Sequence, residues 1–164
     1  MNIEKCLEIH RKELTYRRDF TLSGAFKIFC QSSQHRLSFD EFLFGLDRLD
    51  IAIKPTDVQL FFDRYDSDRD GKLGFWEFSN SILPIDARQR DELECRQSTI
   101  EMSYETKDLF KRVINRLVES EVQVEIQRNK LADNLTIGLR EVFDQIDWLN
   151  RGFISKTDIK KIID

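Results

Sequence analysis

The amino-acid sequence predicts an all-α protein, and three observations carry that prediction. The 164 residues include only two prolines and six glycines, so few positions interrupt a helix. Runs of β-branched residues with a two-residue period, which are typical of strands, are absent. Apolar residues recur instead at the i, i+3, i+4 and i+7 spacing of amphipathic helices. The length and the 40% of apolar residues suffice for one compact domain or two small ones.

The composition argues against several classes of partner. A net charge of −4 gives no basic field for nucleic acid or for an anionic membrane surface. No stretch approaches the eighteen consecutive apolar residues of a membrane span, and the first residues lack the pattern of a secretory signal. Three cysteines without C-x-x-C spacing indicate reduced thiols. We expect a cytoplasmic protein, with association with the cytoskeleton left open.

Residues 66–77, here called the second loop, contain the most specific motif. Their sequence, D-S-D-R-D-G-K-L-G-F-W-E, matches the calcium loop D-x-[DN]-x-[DN]-G-x5-E at every required position. Ca²⁺ takes six to eight oxygen ligands, and Asp66, Asp68 and Asp70 at loop positions 1, 3 and 5 place three carboxylates inside one tight turn. A solvated charge run would lack this spacing. We therefore predict one bound Ca²⁺ here.

The other positions of the second loop complete this predicted site. Gly71 at position 6 allows the positive φ of a sharp bend. Lys72 at position 7 offers its backbone carbonyl, and Glu77 at position 12 offers both carboxylate oxygens. Gly74 at position 9 has no side-chain oxygen, so a water molecule is expected in that place. The predicted metal ligands are Asp66, Asp68, Asp70, the backbone carbonyl of Lys72, and Glu77.

Helices are predicted on both sides of the second loop. Pro55 lies in a helix-start signal, and residues 55–65 carry apolar side chains at helical spacing. Residues 75–83 repeat that spacing before Pro84 ends the segment. The pattern predicts a helix, a loop and a second helix.

A shift of 36 residues aligns residues 30–41, the first loop, with the second loop. The frame persists, but the ligands do not: Cys30, Ser32 and Gln34 take positions 1, 3 and 5, and His35 replaces the bend glycine. We expect no calcium in the first loop. Ser38 and Glu41 instead predict a capping box at the start of the next helix.

The second loop and its repeat resemble the EF-hand, or calmodulin-like, superfamily. The resemblance covers at least residues 18–83 as an EF-hand pair. It implies that the two loops pair through a short antiparallel contact at position 8, which would join Leu37 to Leu73. The motif residues that carry it are Asp66, Asp68, Asp70, Gly71, Lys72, Gly74 and Glu77.

A third loop is predicted at residues 147–158, D-W-L-N-R-G-F-I-S-K-T-D. Gly152 keeps the bend, but Leu149 and Arg151 replace carboxylates at positions 3 and 5, and Asp158 is shorter than the usual glutamate. We expect no calcium there and a second capping box from Ser155 and Asp158.

The segments before the first and third loops also resemble each other, in an I-x-R-x-x-L pattern at residues 9–14 and 126–131. The organisation is similar to multi-EF-hand proteins of protists in which a helix precedes each EF-hand pair. On this resemblance the third hand opens a second pair without its fourth member. The chain is then a fragment of a longer protein, or the third hand pairs with another EF-hand.

Residues 85–105 are predicted as a polar linker with a short helix beginning near Asp86. A longer helix is predicted from about Lys107 to Ala132, with Thr106 as its N-cap and Asn134 near its end. At about 26 residues it would extend roughly 40 Å and could separate two lobes. A partial heptad at residues 110, 117, 124 and 131 leaves two alternatives, a coiled coil or packing on the neighbouring hands. The predicted divisions are 1–84, 85–105 and 106–164.

These observations predict a calcium-responsive protein-interaction module with an unidentified protein partner. Two methionines against thirteen phenylalanines favour a dedicated partner over promiscuous target capture. The alternative is a structural adaptor in a larger assembly, in which one calcium ion only stabilises the first lobe. No phosphate loop, nucleophile elbow or catalytic histidine constellation is present, so we expect no enzymatic activity.

Overall fold

The computed structural model describes residues 3–30, 36–97, 100–133 and 138–163, most of which are helical. The helical class is confirmed, with a small two-stranded sheet in addition. The chain divides into two compact units, Met1–Val124 and Glu125–Asp164. In chain order the elements are α1 (Ile3–Thr15), α2 (Leu22–Phe29), β1 (Arg36–Ser38), α3 (Phe39–Arg48), α4 (Pro55–Tyr65), β2 (Lys72–Gly74), α5 (Phe75–Ile82), α6 (Ala87–Cys95), α7 (Tyr104–Ala132), α8 (Leu139–Ile146) and α9 (Lys156–Ile163).

Local signals explain where the helices of the first unit begin. The Thr21 hydroxyl accepts a hydrogen bond from the Gly24 N–H at the start of α2. Ser38 and Glu41 form the predicted capping box at the start of α3, and Pro55 is the first residue of α4. The first N–H groups of a helix have no partner within it. The caps at Thr21 and Ser38 each accept a hydrogen bond from one of them, and Pro55 has no N–H to satisfy.

Strands β1 and β2 join the first two helix–loop–helix segments. Leu37 lies opposite Leu73 in the antiparallel register, and both side chains are fully buried. The predicted contact between these two leucines is confirmed. The first-loop predictions for Ser32, Gln34 and His35 lie outside the described residues.

Phenylalanine rings form the centre of the first unit's core. Phe29 stacks on Phe42 with ring centroids 4.8 Å apart and lies 5.5 Å from Phe78. Phe110 of α7 lies 6.1 Å from Phe29, so the first half of α7 packs on the neighbouring helices. The other buried apolar residues of this helix are Leu109, Val113, Ile114, Leu117 and Val118.

The segment 85–105 contains α6, which packs against α1. Leu93 is buried in the core. The Arg96 guanidinium donates hydrogen bonds to the backbone carbonyls of Thr15 at 2.6 Å and Arg17 at 2.8 Å. The Thr15 carbonyl is at the end of α1 and has no partner within the helix, so the first of these bonds satisfies it.

Helix α7 begins at Tyr104, earlier than predicted, and Thr106 lies inside its first turn. The predicted N-cap is wrong because the Thr106 hydroxyl donates to the Asp19 carboxylate at 2.8 Å. Ser103 precedes the helix, and its hydroxyl accepts from the Thr106 N–H at 3.3 Å. The helix ends at Ala132, as predicted. Asn134, which is expected near its end, lies outside the described residues.

The second unit contains the last turns of α7, followed by α8 and α9, with the third loop between them. Ser155 and Asp158 form the predicted capping box: the Ser155 N–H donates to the Asp158 carboxylate at 2.8 Å, and the Asp158 N–H donates to the Ser155 hydroxyl at 3.3 Å. Across the described residues of both units, no helix combines the length and the apolar character that a membrane crossing requires.

Candidate functional site

The second loop connects α4 to α5, and both helices hold it to the core. The Asp66 N–H donates to the Phe62 carbonyl at 2.8 Å and so ends α4. Gly74 is the N-cap of α5. Phe62 and Phe78, one on each helix, are buried. Residues 67–71 of the loop are therefore an exposed turn between two fixed ends.

The backbone of the loop bends where the sequence predicts. Gly71 has a φ of +79°, and nothing within 4 Å would meet an added Cβ atom, so the glycine is required by conformation alone. Arg69 also has a positive φ, of 58°. The bend turns the N–H groups of Asp70 and Gly71 inward, where they donate to the two Asp66 carboxylate oxygens at 3.2 and 2.8 Å.

Three carboxylates converge inside this bend. Asp66, Asp68 and Asp70 each present an oxygen, and these oxygens lie within 4.8 Å of one another. Asp68 and Asp70 are exposed, and Asp66 is half-buried. Three negative charges at this separation repel one another, so the arrangement favours a cation among them. Oxygen-only donors suit a hard divalent ion.

Glu77 lies at the start of α5 and uses both carboxylate oxygens locally. One accepts from the N–H of Ser67 at 2.8 Å and from its hydroxyl at 2.6 Å, and the other accepts from the Gly74 N–H at 2.7 Å. Burial alone would raise the pKa of Glu77, but these hydrogen bonds outweigh it and lower the pKa below its ordinary value. Glu77 therefore links the beginning of the loop to its end as a carboxylate.

A positive charge from the first helix–loop–helix segment reaches the same carboxylates. The Arg36 guanidinium forms an ion pair with Asp68 at 3.1 Å and a second with Asp70. Arg36 lies in β1 opposite Gly74 of β2, so the sheet itself positions this side chain beside the second loop. The first segment thus contributes a cation, rather than an anionic ligand, to the site.

The predicted ligands divide into two groups in the structure. Asp66, Asp68 and Asp70 lie together, whereas Glu77 is held on Ser67 and Gly74 at the N-terminus of α5. Lys72 begins β2, and its N–H donates to the Asp70 carboxylate at 2.8 Å. Sequence reasoning missed Arg36 and Ser67. The predicted pairing of Leu37 with Leu73 is enough to locate Arg36. In an antiparallel register it places Arg36, at position 7 of the first loop, opposite Gly74, at position 9 of the second loop.

The chain was compared with family models, curated proteins and solved structures, and it matches none of them.

Proposed function

We propose that the second loop binds one Ca²⁺ and that the protein is a calcium-responsive interaction module of the EF-hand type. The observation that supports this most is the convergence of Asp66, Asp68 and Asp70 within a loop that has the required glycine bend. Lys72 would add its backbone carbonyl and Glu77 its carboxylate. An affinity typical of sensor sites, roughly 10⁻⁷ to 10⁻⁵ M, is expected.

The first loop would brace the second one without binding an ion. Its Cys30 is buried, and its Glu41 accepts hydrogen bonds from the N–H of Ser38 at 2.9 Å and from its hydroxyl at 2.7 Å. Glu41 thus caps α3, in a loop whose positions 1, 3 and 5 carry no carboxylate. Pairing through β1 and β2 fixes the position of the second loop relative to this segment.

A response to calcium would begin at Glu77. Direct ligation requires this carboxylate to exchange its hydrogen bonds from Ser67 for contacts with the ion. Glu77 lies one residue before Phe78, whose fully buried ring lies 5.5 Å from both Phe26 and Phe29. A movement of the first turn of α5 would therefore shift Phe78 within the aromatic core. In this way calcium binding at Glu77 would change the angle of α5.

The second unit supports the proposal of a protein partner. In residues 125–133 and 138–162, no apolar side chain is buried, and several large ones are exposed. We propose that this surface pairs with another EF-hand, with Ile154 at the pairing position. The exposed residues are Ile126, Leu131, Leu139, Val142, Trp148, Leu149, Phe153, Ile159 and Ile162.

One observation favours the adaptor as a second candidate function. Helix α7 covers the phenylalanine core of the first unit: Phe110 lies 5.8 Å from Phe20 and 6.1 Å from Phe29. A sensor that exposes this core to a partner must first displace the buried side chains of α7. A calcium ion that only stabilises the first unit would leave α7 in place.

Fluorescence separates the two candidates. Trp76 lies in the second loop and is exposed, and the other tryptophan is Trp148. In a Trp148→Phe variant, Trp76 emission should change on addition of calcium, with Asp66→Ala as the control that does not respond. Calcium-dependent binding of an apolar surface probe supports the interaction module. A calcium response at Trp76 without probe binding supports the adaptor, and no response in either signal contradicts both.

A further inference from the structure

The third loop has the backbone of the second loop without its carboxylate set. Asn150 and Gly152 have φ values of 56° and 79°, and the corresponding Arg69 and Gly71 have 58° and 79°. The Gly152 N–H donates to the Asp147 carboxylate at 2.6 Å. The Gly71 N–H makes the same bond to Asp66 at 2.8 Å. The third loop therefore has the same bend and the same internal hydrogen bond as the second loop, the predicted calcium loop.

The burial of two carboxylates distinguishes the third loop. Asp147 and Asp158, at positions 1 and 12, are only 3% and 5% exposed, and no other residue in ranges 125–133 and 138–162 is buried. Buried carboxylates require a compensating charge. One Asp147 oxygen has no hydrogen-bond partner in the structure, so this oxygen needs a nearby cation in particular.

Arg151 at position 5 supplies that charge from within the loop. Its Nε lies 3.7 Å from the Asp147 oxygen that has no hydrogen bond, and its terminal nitrogen is hydrogen-bonded to Asp158. The guanidinium carbon of Arg151 lies 4.8 Å from the centroid of the Phe153 ring, which adds a cation–π contact. The guanidinium joins the first and last ligand positions of the loop.

The hydrogen bonds at Asp158 support the same arrangement. The Ser155 hydroxyl and N–H, followed by the Arg151 guanidinium, lower the pKa of this carboxyl. Asp158 thus stays charged at neutral pH. Leu149 offers no side-chain oxygen at position 3, so the loop has a cation but lacks a ligand that a metal ion would need.

We propose that Arg151 is a built-in cation that takes the place a metal ion has in a calcium loop and keeps the third loop folded without calcium. A guanidinium is permanently charged and presents several donors in a fixed plane, so it can engage both carboxylates at any calcium concentration. The third loop is therefore a constitutive structural element. This role does not depend on whether the second loop binds an ion.

Amide hydrogen exchange of the full chain, followed by NMR, tests the proposal. In the wild-type protein, the N–H groups of Gly152 and Ser155 should exchange slowly and at the same rate in calcium and in chelator. In Arg151→Gln, exchange of both amides in chelator should accelerate by about tenfold or more, because two buried carboxylates lose the positive charge that compensates them. Arg140→Gln is the matched control, because it removes an exposed α8 guanidinium that pairs with Asp144, and it should leave both amides unchanged.

A double variant keeps the test decisive if Arg151→Gln does not fold. Arg151→Gln combined with Asp158→Asn leaves one fewer uncompensated charge while keeping an acceptor for Ser155. The double variant should recover part of the lost protection. The proposal is overturned if wild-type protection of Gly152 and Ser155 requires calcium, if Arg151→Gln behaves as Arg140→Gln does, or if the double variant recovers nothing.

Discussion

The Arg36 guanidinium lies 3.1 Å from the Asp68 carboxylate, across the two-stranded sheet that joins the first two helix–loop–helix segments. The same guanidinium pairs with Asp70. A residue of the first segment, whose loop has no carboxylate at positions 1, 3 and 5, thus partly neutralises the carboxylates of the second segment. An incoming cation has to compete with this charge.

Replacing Arg36 with glutamine should tighten calcium binding. The ion pairs are exposed and each is worth well under about 1 kcal/mol, so we expect a two- to fivefold lower Kd, roughly. Titration calorimetry at low ionic strength measures the change, which should diminish as salt is added. Lys27→Gln on α2 removes the same charge from an exposed position and serves as the control. An unchanged or weaker affinity in Arg36→Gln would show that Arg36 does not compete with the ion.

Gly45 permits the close packing of α3 on α2. A Cβ atom at this position would lie 2.1 Å from the Phe29 ring, which stacks on Phe42. Gly45→Ala should lower the free energy of unfolding by about 1–3 kcal/mol, because overpacking outweighs the better helix propensity of alanine. Asp47→Ala, at an exposed position of the same helix, should change it by less than about 0.5 kcal/mol. Equal unfolding midpoints in urea for the two variants would refute this explanation of α2–α3 packing.

The Asp19 carboxylate ties the start of α7 to the turn before α2. It accepts from the Ser103 N–H at 2.7 Å and from the Thr106 hydroxyl at 2.8 Å. Burial alone would raise the pKa of Asp19, but these bonds lower it below the ordinary value of 3.8. A lowered folded-state pKa stabilises the protein above the unfolded-state value, and this contribution disappears as pH falls through the folded-state pKa.

Asp19→Asn should therefore destabilise the protein at pH 7, by about 1 kcal/mol because the site is half-exposed. The difference from wild type should shrink as the pH is lowered below about 3.8. Urea unfolding at a series of pH values measures it, with the exposed Asp91→Asn as the control for net charge. A difference that stays constant from pH 7 to pH 3 would exclude the Asp19 carboxylate as its source.

Local patterns predict those parts of the fold that depend on local chemistry. Pro55 and the apolar spacing after it identify the bounds of α4, and the turn glycines Gly71 and Gly152 have the expected positive φ. The capping box of Ser38 and Glu41 forms as predicted. In each of these cases the residues that determine the structure are neighbours in sequence.

Long-range contacts explain what the patterns miss. The short helix predicted to begin near Asp86 forms as α6, but its low apolar periodicity does not predict that it packs on α1. Leu93 is buried there, and the Arg96 guanidinium donates to the Thr15 carbonyl. Thr106 resembles an N-cap, but Asp19, distant in sequence, takes its hydroxyl. In the sequence, Arg151 is only a loop position without a carboxylate. Its structural role becomes visible from its position between two buried carboxylates.

Calorimetric titration of the full chain with calcium tests the central proposal most directly. We predict one Ca²⁺ per chain with micromolar or tighter affinity, roughly in the sensor range, and no binding in Asp66→Ala, which removes the carboxylate that accepts the Gly71 N–H. Arg151→Gln should leave this stoichiometry unchanged. The absence of binding to the wild-type chain, or more than one ion per chain, would contradict the assignment of a single calcium site to residues 66–77.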